Sequence, residues 1–306
     1  MKTTSLEGPR TAPRKRPPTT PPRHHELHVQ PIVRHEREQD FRITGGEILF
    51  RRQDLQNPGR FMNPEPLIRR MEIDGNTLAF DCATMHRAAD FSLGINASGS
   101  DDHIIHVNVS ARTVADPRFP NYVAKLGKRP GVTDVLQPEI TETAALDSEE
   151  TRRFKRGLQA LNKAGFVTWL DDFPHGQHTE DRLMELAADG HIHGVKIDRC
   201  DVNKSLGHGN GCATLMNHVE TFVTLGISSV VFEGIEDKKG AHQIDTAAAR
   251  SGLTEHINLR YQGWAFAKAL PPCDFARMIG VCPTCPSRPC TTGRTASAFR
   301  YQAAGA

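Results

Sequence analysis

A chain of 306 residues, 38% hydrophobic and 24% charged, is long enough to bury one barrel-sized core or two ordinary domains. Its formal net charge of +2 gives no basis for binding a nucleic-acid polymer or a membrane surface, and no run approaches the ~20 apolar residues that span a bilayer. No apolar stretch follows the basic N-terminal residues, so no secretory signal is expected. The seven cysteines are odd in number, with Cys82, Cys200 and Cys212 scattered among core-like segments, as expected of a cytoplasmic protein in a reducing compartment.

Residues 1–25 read as a disordered basic tail: they hold six prolines and six Lys or Arg residues against a single acid, Glu7. Such a segment cannot bury enough apolar surface to offset its ordering entropy. His24 and His25 are assigned to this tail. Residues 282–306 read as a second, Cys- and Pro-containing tail, leaving 26–281 as the folded domain.

Within that domain, apolar or β-branched runs predict strands at 27–33, 44–51, 104–109, 135–141, 166–170, 193–197, 228–232 and 257–261. From the third run on, helical segments separate them, at 148–163, 179–189, 212–225 and 238–250. Ser148 is the expected N-cap of the first, with Glu149 and Glu150 favourably placed in its first turn. Gly165, Gly226 and Gly252 lie just past helical stretches, where a left-handed residue is commonly needed. Eight strands with intervening helices predict an α/β fold, a (β/α)₈ TIM-like barrel, with a doubly wound open sheet as the alternative.

Polar residues recur at the strand ends: Asn108, Glu142, Asp171 with Asp172, Lys196, Glu233 and Gln262, while Glu47 lies within the second run. In a barrel the strand ends meet at one face, so these residues would converge on one pocket. Oxygen ligands of this kind suit hard divalent cations such as Mg²⁺ or Mn²⁺, and buried carboxylates without a cation would repel one another. Two ions roughly 3.5–4 Å apart could clamp the attacking and leaving oxygens of a phosphoryl centre. Lys196 could stabilise developing negative charge or orient water. Cys273, Cys282, Cys285 and Cys290 contain only one Cys-x-x-Cys, which argues against a zinc module.

In this order the motifs resemble the EAL domain family, the cyclic-di-GMP phosphodiesterase barrel, over residues 26–272. HVQPIV at 28–33 is similar to the family's opening strand, GGEILFR stands for the name-giving Glu-Ala-Leu-Leu-Arg, and LIRRMEIDG at 67–75 resembles its Phe-Ile-x-x-Ala-Glu segment. NVS, EITET, LDDF, KIDR, EGIE and QGWAFAK follow at family-like spacing. The resemblance implies one antiparallel strand in the barrel. It also implies metal ligands at Glu47, Asn108, Glu142 and Asp171, with Asp171 bridging two ions and Asp172 serving the second. By the same resemblance Lys196 and Glu233 position or activate water, Glu236 and Gln262 support metal and water, and Arg51 contacts a substrate phosphate. The implied reaction opens one phosphodiester of cyclic-di-GMP to give linear pGpG, using Mg²⁺ or Mn²⁺. A homodimer and a stand-alone barrel are expected.

The family loop Asp-Asp-Phe-Gly-x-Gly-x-Ser-Ser is altered here: Pro174 replaces the first glycine and His178-Thr179 the serine pair. Proline fixes φ and lacks a donor, which predicts weaker second-site occupancy or dimer coupling and reduced turnover. A silent cyclic-di-GMP receptor, or a regulator that binds a protein partner, is the competing reading, against which stands the retention of every implied ligand. Pro138, just before EITE, removes a backbone donor within a predicted strand.

Overall fold

The computed structural model describes residues 25–36, 41–57, 59–97, 103–141, 146–207 and 212–281. The strands are β1 (His25–His35), β2 (Phe41–Gln53), β3 (Phe61–Met62), β4 (Ile104–Ser110), β5 (Leu136–Thr141), β6 (Trp169–Phe173), β7 (Gly194–Ile197), β8 (Ser229–Phe232) and β9 (Asn258–Gln262). The helices are α1 (Glu65–Ile73), α2 (Thr77–Asn96), α3 (Ala111–Val114), α4 (Phe119–Leu126), α5 (Val132–Val135), α6 (Ser148–Lys163), α7 (Glu180–Ala188), α8 (Arg199–Gly207), α9 (Ala213–Thr224), α10 (Lys238–Arg250) and α11 (Pro272–Met278). Every predicted strand and helix is present. The short β3 and the paired helices α1 and α2 were not anticipated. No helix among the described residues is long and apolar enough to cross a membrane.

The strand order β1-β9-β8-β7-β6-β5-β4-β2 is closed by pairing of β1 with β2, and β3 hangs on the outer edge of β2. The sheet is therefore a barrel and the open-sheet alternative is excluded. β1 runs antiparallel to both neighbours, β2 and β9, whereas β2 and β4–β9 are mutually parallel. Pro138 does not break β5: it lies opposite Val107, and its flanks Gln137 and Glu139 keep register with His106 and Asn108.

Alternation along the strands sorts side chains into two sets. Outward residues such as Ile105, Val107, Leu170, Val195 and Val230 are buried beneath the helices in one continuous core. Inside the barrel, Ile32, Trp169 and Val231 form a separate small cluster. A Cβ at Gly194 would lie 2.5 Å from the Trp169 indole, so the missing side chain on β7 makes room for the ring. The indole Nε1 donates to Gln137 Oε1 at 2.6 Å. This layer fills the barrel beneath the acidic residues and gives them a packed floor.

Two local readings need correction. The N-cap of α6 is Asp147, one residue before the expected Ser148: its side chain accepts from the backbone N–H groups of Glu149 and Glu150, and Glu150 returns a bond to the Asp147 backbone. His25 belongs to β1 rather than to a tail, its ring 4.7 Å from that of Phe50. The C-terminal glycines behave as expected, with φ of 90° at Gly165, 76° at Gly226 and 68° at Gly252. The N-terminal residues before His25, His24 among them, and the stretch 282–306 lie outside the described residues.

Candidate active site

Period-two alternation assembles the site on the Trp169 floor. Glu47 on β2, Asn108 on β4, Glu139 on β5, Asp171 on β6, Lys196 on β7 and Gln262 on β9 occupy inward positions. Lys196, only 1% exposed, is the hub: its Nζ lies 3.0 Å from Glu47, 3.2 Å from Glu139, 3.2 Å from Asp171 and 2.6 Å from Glu233. Glu47 is held further by Asn108 Nδ2, which donates to Oε1 at 2.6 Å, and by Gln262 Nε2, which donates to Oε2 at 2.7 Å.

Asp171 and Asp172 are consecutive, and in a regular strand their side chains would point to opposite faces. The β6–β7 ladder shifts register between Leu170 and Phe173, and Asp172 takes a left-handed backbone with φ of 49°. Asp is among the few residues that tolerate this conformation. As a result carboxylate oxygens of Asp171, Asp172 and Glu233 lie within 4.8 Å of one another. A second group within the same limit joins Glu47, Glu139 and Asp171.

Burial would raise Glu47, but Lys196 and the bonds from Gln262, Lys196 and Asn108 outweigh it and hold this carboxyl below its ordinary range. Glu139 is pushed well above that range by burial, with Lys196 opposing and Glu47, Asp171 and Glu233 adding to the rise. Burial likewise raises Asp171, and lifts Glu233 to about 7. Lys196 is driven well above an ordinary lysine because four carboxylates overcome its own desolvation. Beneath Glu139, His106 Nδ1 lies 2.7 Å from Oε1, and burial depresses this imidazole far enough to keep it neutral.

One ammonium cannot neutralise four carboxylates, and without a further cation burial holds Glu139, Asp171 and Glu233 toward their protonated forms. Asn108 Oδ1 and Gln262 Oε1 are buried there and accept no hydrogen bond. An all-oxygen donor set with orphaned acceptors fits hard divalent cations such as Mg²⁺ or Mn²⁺. Glu47, Asn108, Glu139, Asp171, Asp172 and Glu233 are the residues able to hold them.

A cleft of about 340 Å³ opens above the cluster. Glu236 is exposed on its wall, joined by Arg199 and Asn203 from α8 and by Trp264, which is 69% exposed. The loop carrying Glu233 packs against the start of α8, since a Cβ at Gly234 (φ 66°) would lie 2.2 Å from Arg199 Cβ. Arg51 sits half-buried toward the end of β2, its Nη1 3.3 Å from the Phe50 carbonyl.

Of the residues singled out in the sequence, Glu47, Asn108, Asp171, Asp172, Lys196, Glu233 and Gln262 thus come together, and Glu236 lines the same cleft. Glu142 lies outside the described residues. The residue that β5 delivers to the cluster is Glu139, which the sequence reading passed over in the same EITE string. Its signal was the alternation of Gln137, Glu139 and Thr141 through an otherwise apolar strand. Arg199, Asn203 and Trp264 were also missed, although Arg199 and Trp264 sit inside the quoted KIDR and QGWAFAK strings. Of the four cysteines near the C-terminus, Cys273 is buried at the start of α11, and Cys282, Cys285 and Cys290 fall outside the described residues.

Residues 22–252 match the model of the EAL domain. The chain is 28% identical over 239 residues to the cyclic di-GMP phosphodiesterase PdeB of Shewanella oneidensis, covering 76% of this chain and 25% of that relative. It therefore spans about a quarter of that protein's length. It is 30% identical over 261 residues to the uncharacterized protein Rv1357c of Mycobacterium tuberculosis, covering 82% of this chain and 76% of the relative. Among solved structures, the MucR phosphodiesterase in complex with c-di-GMP superposes with a TM-score of 0.65 at 23% identity, over 81% of this chain and 93% of that one. At that identity the likeness speaks for the fold. The family model over most of the chain, with the closed mixed barrel and its acidic interior, establishes that this chain belongs to the EAL domain family.

Proposed function

We propose that the chain is a metal-dependent phosphodiesterase that hydrolyses cyclic-di-GMP to linear pGpG. The observation that carries this reading is the buried cluster of Glu47, Glu139, Asp171 and Glu233 around Lys196 at the floor of an open cleft. Support comes from membership of the EAL family, from the activity named for PdeB, and from the nucleotide held by the MucR domain.

Two Mg²⁺ or Mn²⁺ ions would polarise the phosphoryl group and stabilise charge on the attacking and leaving oxygens. Glu47, Asn108, Glu139 and Asp171 would hold the inner ion, with Asp171 and Asp172 facing the second and Glu233 beside them as the base. Glu233 lies beside Lys196 and the Asp171–Asp172 pair, where its carboxylate can accept the proton of the attacking water. Its 2.6 Å contact with Lys196 fixes the direction of that carboxylate. Gln262 orients Glu47, and Glu236 guards the cleft wall. The water oxygen bonds to phosphorus, one P–O ester bond breaks, and the leaving ribose oxygen gains a proton.

Arg51 and Arg199 supply positive charge for the two phosphates of the ring. Trp264, exposed at the rim with the Lys268 ammonium 4.8 Å from its ring centroid, offers a stacking face for a guanine. A cytoplasmic homodimer, with 26–281 as the catalytic unit, completes the reading.

The test is incubation of purified protein with cyclic-di-GMP and Mg²⁺ or Mn²⁺, followed by chromatography. Formation of pGpG that stops with chelator and returns with added metal is the expected result. Tight binding without product would assign the chain to receptors instead, and turnover in excess chelator would overturn the metal-dependent mechanism.

A further inference from the structure

We propose that His35, His242 and Asp245 form a separate metal site on the flank of the barrel, built for one transition-metal ion of the zinc class. His35 ends β1, while His242 and Asp245 stand three residues apart on one face of α10. Their ligating atoms all lie within 4.8 Å of one another. The site therefore joins the first hairpin to the helix that follows the Glu233–Glu236 loop.

The geometry is that of ligands around an ion more than that of an ion pair. His35 Nδ1 and Asp245 Oδ2 are 3.1 Å apart, yet this oxygen is buried and accepts no hydrogen bond. Ligands about 2.0–2.1 Å from a tetrahedral zinc ion are separated by about 3.3 Å, close to the observed spacing. The other carboxylate oxygen, Oδ1, accepts from the Tyr261 hydroxyl at 2.5 Å. A buried donor of this kind fixes the carboxylate and leaves one oxygen for the ion. The rings of His35 and His242 stand edge to face with centroids 4.8 Å apart. Phe41 packs against both, at 5.2 Å and 5.1 Å, and Phe266 backs Phe41 at 4.9 Å, so one side is apolar. His35 remains 33% and Asp245 22% exposed, which leaves an approach from solvent.

Two imidazole nitrogens and one carboxylate select a borderline ion such as Zn²⁺ over the Mg²⁺ or Mn²⁺ suited to the all-oxygen interior. Lys238, whose ammonium lies 5.6 Å from the Phe41 centroid, adds positive charge on this flank. That charge repels any divalent ion alike, so the preference for zinc rests on the two imidazole nitrogens. Three protein ligands leave a fourth position for water.

The experiment uses the full chain, stripped of metal, with the exposed Cys200 and with Cys282, Cys285 and Cys290 replaced by Ser to limit capture of zinc by thiolates. Excess Mg²⁺ is present throughout to compete for the interior carboxylates. Zn²⁺ is titrated by calorimetry and by thermal shift against the parent, His242→Ala, Asp245→Asn and His35→Gln, each checked for native circular dichroism. The parent should bind one Zn²⁺ with a rise in Tm, and each variant that folds should lose that equivalent. Tyr261→Phe, which keeps all three ligands, should weaken binding by ~10–100-fold. Variants that match the parent in stoichiometry and affinity, or a parent with no saturable Zn²⁺ uptake, would overturn the proposal.

Discussion

Lys196 Nζ and Glu233 Oε1 meet at 2.6 Å, the shortest of the four carboxylate contacts this ammonium makes inside the barrel. Lys196 is thus both a neighbour of the proposed base and a counterion for the cluster. Lys196→Met should therefore harm the metal-free protein most. Removing one partner of a buried charge network costs about 3–5 kcal/mol, because the remaining charges are left uncompensated. Divalent ions would supply the missing positive charge, so Mn²⁺ should raise the Tm of the variant more than that of the parent. Thermal melts in chelator and in Mn²⁺ measure this, and equal metal-induced shifts would remove Lys196 from the role of counterion.

The same cluster sets a pH dependence. Burial lifts Glu233 from 4.5 to about 7, so the folded chain binds a proton that the unfolded chain has released. Stability from this group is complete below pH ~4.5 and is lost as pH rises through about 7. Glu139 and Asp171, also raised, act in the same direction. A cation beside these carboxylates favours their charged forms, so saturating Mn²⁺ should flatten the loss. Urea denaturation across this window, with chelator or with Mn²⁺, gives the two slopes. Identical slopes would place the ions elsewhere.

Separating chemistry from binding requires Glu233→Gln beside Glu139→Gln. Glu233→Gln should lower turnover by roughly 10²–10⁴ while nucleotide affinity stays similar, since a base is lost but the inner ligands remain. Glu139→Gln should instead raise the metal concentration needed for turnover, because Glu139 shares the inner group with Glu47 and Asp171. If calorimetry found nucleotide binding lost with Glu233→Gln, that residue would be a ligand rather than the base.

Why Glu139 escaped the sequence reading has a physical answer. The rule applied was that functional groups sit at strand ends, and by that rule Glu142 was the natural choice in EITE. The barrel interior is organised by alternation instead: Gln137 and Glu139 stand opposite His106 and Asn108, all facing inward. The strands themselves were legible because each is a short apolar run bounded by turn residues. Closure of the sheet was legible only through the family resemblance, since pairing of β1 with β9 is a long-range event that local pattern does not encode. The turn at Asp172 was equally hidden. Two adjacent aspartates in a strand look like one inside and one outside until the register shift after Leu170 is seen. At α6, Asp147 and Ser148 are both good caps, and the Asp147–Glu150 pairing decided between them.

The altered loop gives the last prediction. From sequence, the altered loop, Pro174 with His178 and Thr179, suggested that restoring the family residues would lower the metal requirement. The structure gives His178 an opposing effect. His178 is buried, and its Nδ1 donates to the Asp171 carbonyl at 2.5 Å, tying the loop to the strand end that bears both aspartates. Thr179 caps α7 through a bond from the Arg182 N–H to its hydroxyl, a task serine performs equally well. Thr179→Ser should therefore be nearly silent. His178→Ser should lose a hydrogen bond and leave a void, costing about 1–1.5 kcal/mol at Asp171 and raising the Mn²⁺ requirement about tenfold. Burial also depresses His178 to about 4 from 6.5, so its stabilisation is complete above pH ~6.5 and is lost as pH falls through about 4. His178→Ser should blunt that acid sensitivity while it weakens metal binding. Pro174→Gly should do neither, because the tether survives. Measuring turnover against Mn²⁺ for the two single variants separates them. A lower requirement in His178→Ser would mean that the histidine holds Asp171 away from the metal rather than toward it.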